Sequence, residues 1–234
     1  ADGLELVKVE QGVSSADAIR YYKSNPEVEY AEPNYKRRAS AAPNDPDFSL
    51  QWGLTKISAP SAWDISTGSS VVIAVIDTGI NYNHPDLSAN IWSNSGEIAG
   101  NAIDDDGNGY VDDVRGWNFV GSNNSPMDDN EHGTHVAGII GAVGNNLTGI
   151  SGVILSAKLM PLKILDSEGS GYISDEISAI YYAIAKGAKV INFSLTGTEY
   201  SQSEYNAINA AKNAGVLVAA AAGNEGVNND ITPS

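Results

Sequence analysis

Six consecutive apolar residues, Val71-Val72-Ile73-Ala74-Val75-Ile76, run directly into Asp77-Thr78-Gly79. A strand with one wet face alternates polar and apolar side chains. One that does not is covered on both faces, as happens in parallel sheets flanked by helices. The run therefore predicts a central strand of an α/β protein with Asp77 at its carboxyl end, the edge at which open α/β sheets build their sites. The later chain agrees with this. Residues 157–165, 189–194 and 216–222 read as strands, and 174–186 and 203–213 as helices, the first capped by Ser174 with Asp175 and Glu176 in its first turn. Strands separated by helices make a parallel sheet with crossovers. A strand-end aspartate can also be an ordinary turn residue, and Asp77 alone does not decide between the two.

A second stretch, Asp129-Asn130-Glu131-His132-Gly133-Thr134-His135-Val136-Ala137-Gly138, places His132 where a polar loop enters an apolar helix, with His135 one turn further in. Imidazole changes charge near neutral pH, so a histidine held by a helix and open to a cleft suits general-base work. A hydrogen-bonded core histidine is the alternative reading of the same pattern.

Together these stretches resemble the subtilisin-like serine peptidases, the subtilases. In that family the triad order is Asp, His, Ser, so the resemblance implies that Asp77 orients His132 and that His132 takes the proton from a serine hydroxyl. Val216 to Gly226 continues the likeness, with Asn224 at the position of the family's oxyanion-hole asparagine. Ser194-Leu195-Thr196-Gly197 resembles the segment that pairs with substrate backbone beside the specificity pocket, and Ala221-Ala222-Gly223 its opposite wall. The family has a small residue where Thr196 stands. Gly169-Ser170-Gly171 matches the edge that pairs with substrate residues before the scissile bond; a flexible surface loop is the competing reading. The implied fold is a three-layer α/β/α subtilisin-like fold with a mostly parallel sheet, incomplete at its C-terminus. The nucleophile motif Gly-Thr-Ser-Met-Ala is not found in the 234 residues, nor is Gly-x-Ser-x-Gly. The resemblance thus puts the serine beyond residue 234 and predicts that this chain alone is inactive.

Residues 1–42 read as a separate unit, and 43–234 as the N-terminal part of the catalytic domain. Leu4 to Val9 alternates weakly like a strand, Ser14 caps a short helix to Lys23, and Val28 to Tyr35 is extended. This resembles the C-terminal part of the family's inhibitory prosegment, a small α+β unit whose tail around Tyr35-Lys36-Arg37-Arg38 would lie in the substrate cleft. An ordinary N-terminal extension would read the same. Asp45-Pro46 and Gln51-Trp52-Gly53 resemble the mature N-terminus of the thermitase-like branch. There, one Ca²⁺ is implied at Asp45, Asp86, the Asn146 side chain and the carbonyls of Val143, Thr148 and Ile150.

Thirteen basic against 29 acidic residues leave a net charge of −16, which argues against nucleic acid or anionic membrane as a partner. Residues 97–131 hold nine acids and only Arg115 as a base. Within them, Asp104 to Asp113 resembles a calcium loop, with Asp104, Asp106, Asn108 and Asp113 as side-chain ligands and Tyr110 through its carbonyl. It is not an EF-hand, since Arg115 stands where the closing glutamate belongs. Asp128 and Asp129 are candidate ligands of another ion, and a merely solvated acidic loop is the alternative. No cysteine and no run of 18 apolar residues occurs, so disulfides and a helical membrane span are not expected. Taken together, a secreted, monomeric, calcium-stabilised serine endopeptidase is expected, with protein substrates and its own prosegment as intramolecular inhibitor. Two rivals stay open. Asp77-Thr78-Gly79 is also the tripeptide of aspartic peptidases, though no second copy is present to make the carboxylate pair. Without a serine, the chain could instead be a non-catalytic calcium-binding pseudopeptidase or peptide-binding fragment.

Overall fold

The computed structural model describes residues 3–35, 42–197, 199–224 and 226. The chain divides into two compact units, Ala1–Ala39 and Ser40–Ser234. The first contains one helix, α1 (Ser15–Lys23), whose N-cap Ser14 accepts the Asp17 N–H, as the sequence predicts. Residues 4–9 form no strand among the described residues, and Leu4 and Leu6 are exposed. The weak alternation there finds no neighbouring strand to pair with, and a lone strand is not stable in water. The expected placement of Lys36-Arg37-Arg38 lies outside the described residues.

The second unit is built on strand β1 (Gly68–Asp77), which the short helices α2 (Trp52–Lys56) and α3 (Ala59–Trp63) precede. Next come β2 (Trp117–Asn118), α4 (His132–Gly141), β3 (Ser156–Lys163), α5 (Ile173–Ala185), β4 (Val190–Phe193), α6 (Gln202–Asn213) and β5 (Leu217–Ala220). The five strands form one sheet in the order β2-β3-β1-β4-β5, and every pairing is parallel.

β1 lies at the centre, and from Ile73 to Asp77 it is buried on both faces, as an unbroken apolar run predicts. Ala74 and Ile76 point into one core with Met160, Leu162, Ile180 and Ala183; Ile73 and Val75 point into another with Ala137, Ala157 and Leu159. The alternation of neighbours along β1 is the period-2 rule of a strand placed between two helical layers. Helices α5 and α6 supply one layer and α4 the other, giving three-layer α/β/α architecture. α5 begins at Ile173, and its N-cap is Tyr172 with no side-chain cap bond, so Ser174 is not the cap. Ser201 caps α6 by accepting the Glu204 N–H.

Candidate active site

Asp77 is the last residue of β1 and is completely buried. His132 opens α4, entered through Glu131 in a left-handed conformation (φ 82°). His132 Nδ1 lies 2.8 Å from Asp77 Oδ1. With Nδ1 donating to the carboxylate oxygen, Nε2 is the ring nitrogen left to accept a proton. The Thr78 N–H also donates to Oδ1, at 2.7 Å, while Oδ2 is buried with no hydrogen-bond partner among the described residues.

Three features hold this pair in register. The Gly133 N–H donates to Thr78 Oγ1 at 2.9 Å, drawing the start of α4 onto the end of β1. No side chain fits at 133, because a Cβ there would stand 2.1 Å from the Gly79 carbonyl oxygen. Asp128 then accepts from Thr78 Oγ1, the N–H groups of Asn130, Glu131 and Thr134, and Thr134 Oγ1. Burial pushes its carboxyl up, but these donors outweigh burial and hold it below the usual aspartate range. Lys163, buried at the end of β3 beside Asp77, donates to the carbonyls of Thr78 and Leu165 and pairs with Asp129 at 2.6 Å. Asp128 and Asp129 are thus spent on protein donors, which removes the reason to assign them to an ion. Neither Lys163 nor the role of Asp128 was nominated from sequence; a lysine inside the apolar strand 157–165 was the signal for the first.

His132 lines a cleft of about 800 Å³ at the carboxyl edge of the sheet. Gly169, Ser170 and Gly171 line the same cleft, as do Ser194, Leu195, Thr196 and Gly197. The loop carrying the first three is a hydrogen-bonded hairpin: Leu165 bridges Gly171, and Asp166 accepts the Ser170 N–H. It is therefore a built edge. Ala221, Ala222 and Gly223 follow β5, with the Ala221 N–H on the Phe193 carbonyl, and they and exposed Asn224 are not among the residues lining this cleft.

The acidic residues form two groups. Asp45 and Asp86 are buried and converge on the 143–150 loop. Asp45 accepts the N–H groups of Asn145 and Asn146, and Asp86 accepts the Ile150 N–H and the Asn146 amide nitrogen, while the Val143 N–H donates to the Asp86 carbonyl. The Asn146 side-chain oxygen accepts the Thr148 N–H. Neither carboxylate has a basic partner among the described residues. Two buried carboxylates and a carboxamide with no cationic side chain are a donor set that fits a hard cation. In the second group, Asp106 and Asp113 gather with Glu97, which sequence reasoning did not nominate. Lys186 pairs with both aspartates, and Tyr182, Asn94 and Asn108 donate to Asp113. Asp104 instead caps the Asn108 and Gly109 N–H groups of its own loop, and Tyr110 packs its ring against Trp117, Phe119 and Tyr182. Of the ligand set read from 104–113, Asp106 and Asp113 thus gather beside Lys186, while the Asp104 carboxylate is turned to its own loop.

With this geometry in place, residues 68–234 match the family model of the subtilases, peptidase family S8. The chain belongs to the subtilase family. Residues 2–34 of this subtilase match the fervidolysin N-terminal prodomain. It is 40% identical over 218 residues to the thermophilic serine proteinase of Bacillus sp. strain AK1, covering 92% of this chain and 49% of that protein. It is 44% identical over 185 residues to thermitase of Thermoactinomyces vulgaris, covering 79% and 58%. An extracellular protease of Xanthomonas campestris is 37% identical over 250 residues, covering 97% and 43%. The chain spans about half the length of these relatives. It is a thermitase-like subtilase with a prosegment and the α/β fold of that family.

Proposed function

We propose that the whole protein is a secreted, calcium-stabilised serine endopeptidase kept inactive by its own prosegment until that segment is removed. The observation that carries this is the 2.8 Å contact between Asp77 and His132 at the lip of the cleft. His132 Nε2 takes the proton of a serine hydroxyl supplied from beyond residue 234. The alkoxide adds to the scissile carbonyl, and the imidazolium, stabilised by buried Asp77, returns the proton to the leaving amine. Asn224 would donate its amide to the oxyanion. An extended substrate would lie between the 169–171 and 194–197 segments as an added strand, with Ala221, Ala222 and Gly223 as the far wall of its pocket. Asp45, Asp86 and Asn146, with the carbonyls of Val143, Thr148 and Ile150, would hold a calcium ion, which ties the N-terminal segment to the loop after α4. Glu97, Asp106 and Asp113 are a second place for one, in competition with Lys186. The extracellular relative supports secretion.

The test is casein hydrolysis by the full-length protein after prosegment removal. Asp77→Ala is expected to lower the rate by about 10⁴-fold and His132→Ala by about 10⁶-fold, magnitudes carried over from subtilisin. Undiminished hydrolysis in either variant would contradict the assignment. A non-catalytic peptide-binding role would instead show peptide binding with no hydrolysis in the full-length wild type.

A further inference from the structure

The cleft beside His132 is lined by four glutamates, Glu168, Glu176, Glu199 and Glu204, and among the described residues by no lysine or arginine. Helix starts attract acids, and Ser201-Gln202-Ser203-Glu204 has the spacing of a capping box, so the presence of Glu204 in the first turn of α6 has a local explanation. The same preference accounts for the place of Glu176 but not for its burial. Glu176 lies in the first turn of α5, is 8% exposed, and has no ion pair among the described residues. Its one carboxyl neighbour is Glu204, across the gap between the two helices. Burial, and then the charge and hydrogen bond of Glu204, push the Glu176 carboxyl up to about 7. A buried glutamate whose close partner is a second, half-exposed carboxyl is unfavourable, and a bound cation relieves the cost.

Resting on the peptidase reading above, we propose that Glu176 and Glu204 form a specificity-determining subsite of the cleft. It takes the cationic side chain of a lysine or arginine on the acyl side of the scissile bond. The pair sits where α5 leaves the Gly169–Gly171 edge, so a substrate strand along that edge passes its side chains over the two carboxyls. The bound cation replaces the shared proton. Glu204 from α6 acts directly on Glu176, and Glu199 from the segment before α6, Glu168 from the 165–171 hairpin and Tyr172 line the same cleft; all but the tyrosine add to its negative field.

The experiment uses the full-length processed enzyme and fluorogenic peptides with Lys, Arg, Leu or Gln placed in turn at each position before the scissile bond. At one position, kcat/KM for Lys or Arg over Leu is expected to reach about tenfold and to climb as pH rises through about 7. Any titration of His132 cancels in that ratio. The double variant Glu176→Gln, Glu204→Gln, whose amides keep the shape of the wild-type pair, is expected to bring the ratio to about one and flatten its pH profile. Calorimetric binding of the same Lys and Leu peptides to the His132→Ala protein gives a second reading that needs no turnover. Equal kcat/KM for Lys and Leu at every position in the wild type, a preference that persists in the double variant, or equal affinity of the two peptides would each overturn the proposal. Failure to cleave any peptide, with the affinity preference intact, would sink the peptidase reading alone.

Discussion

At the scale of single residues, the arrangement depends most on a position with no side chain. Gly133 lets the start of α4 approach the Gly79 carbonyl and Asp77. Gly133→Ala is therefore expected to push His132 away from Asp77. The variant should lose casein hydrolysis almost as completely as His132→Ala, and overpacking should cost about 1–3 kcal/mol of stability by calorimetry. An active Gly133→Ala enzyme would show that α4 can shift without disturbing the pair. Asp128 is the second such residue. Its folded-state carboxyl is held below the usual range, so its stabilisation is present above the unfolded aspartate value and is lost as pH falls through the folded one. Asp128→Asn should therefore destabilise the protein at pH 6 and narrow the difference between wild type and variant as pH falls below about 4. A difference that stays constant down to pH 2 would contradict this.

At the scale of elements, the buried lysine of β3 joins the strand end, the loop before α4 and the hairpin behind the cleft. Lys163→Met would leave the Thr78 and Leu165 carbonyls without their donor. The expected cost is about 1–3 kcal/mol per orphaned group, with a fall in kcat larger than any change in KM. Unchanged kcat would show that the strap is dispensable. The sequence made the strands and helices legible where their periods are clear: Val71–Ile76 has the pattern of a doubly buried strand, and its Ile73–Ile76 half is one, while Val71 is exposed. It made Asp77 and His132 legible because strand end and helix start are places that chemistry uses. It could not show that Glu97 joins Asp106 and Asp113, or that Asp104 serves its own turn, since carboxylates in one acidic loop are indistinguishable until the backbone path is known. The α5 cap was misplaced for a related reason. Ser174 has the residue type of a cap, but the helix already starts at Ile173, after an extended Tyr172.

For the whole molecule, the excess of acid is the governing quantity. A net charge of −16 opposes compaction, and bound cations relieve it. Chelation by EDTA is expected to lower the melting temperature of the full-length protein by about 5–15 °C, the equivalent of a cation held at 100 to 1,000 times its dissociation constant. Asp86→Asn should remove most of that shift, and an EDTA-indifferent melt would refute a structural calcium ion. Glu176 works against stability at high pH. Its folded-state value, about 7, is above the unfolded glutamate value, so the folded state binds more protons between the two, and stability falls as pH rises through that window. Glu176→Gln should therefore raise the melting temperature more at pH 8 than at pH 5. A gain of equal size at both would contradict the shared-proton account.

The measurement that bears most directly on the catalytic reading is labelling of the processed full-length protein by a serine-reactive fluorophosphonate. The account predicts that the wild type is labelled on one serine C-terminal to residue 234, and that His132→Ala slows labelling by about 10³-fold or more. A wild type that resists the probe, or a His132→Ala protein labelled at the wild-type rate, would contradict it.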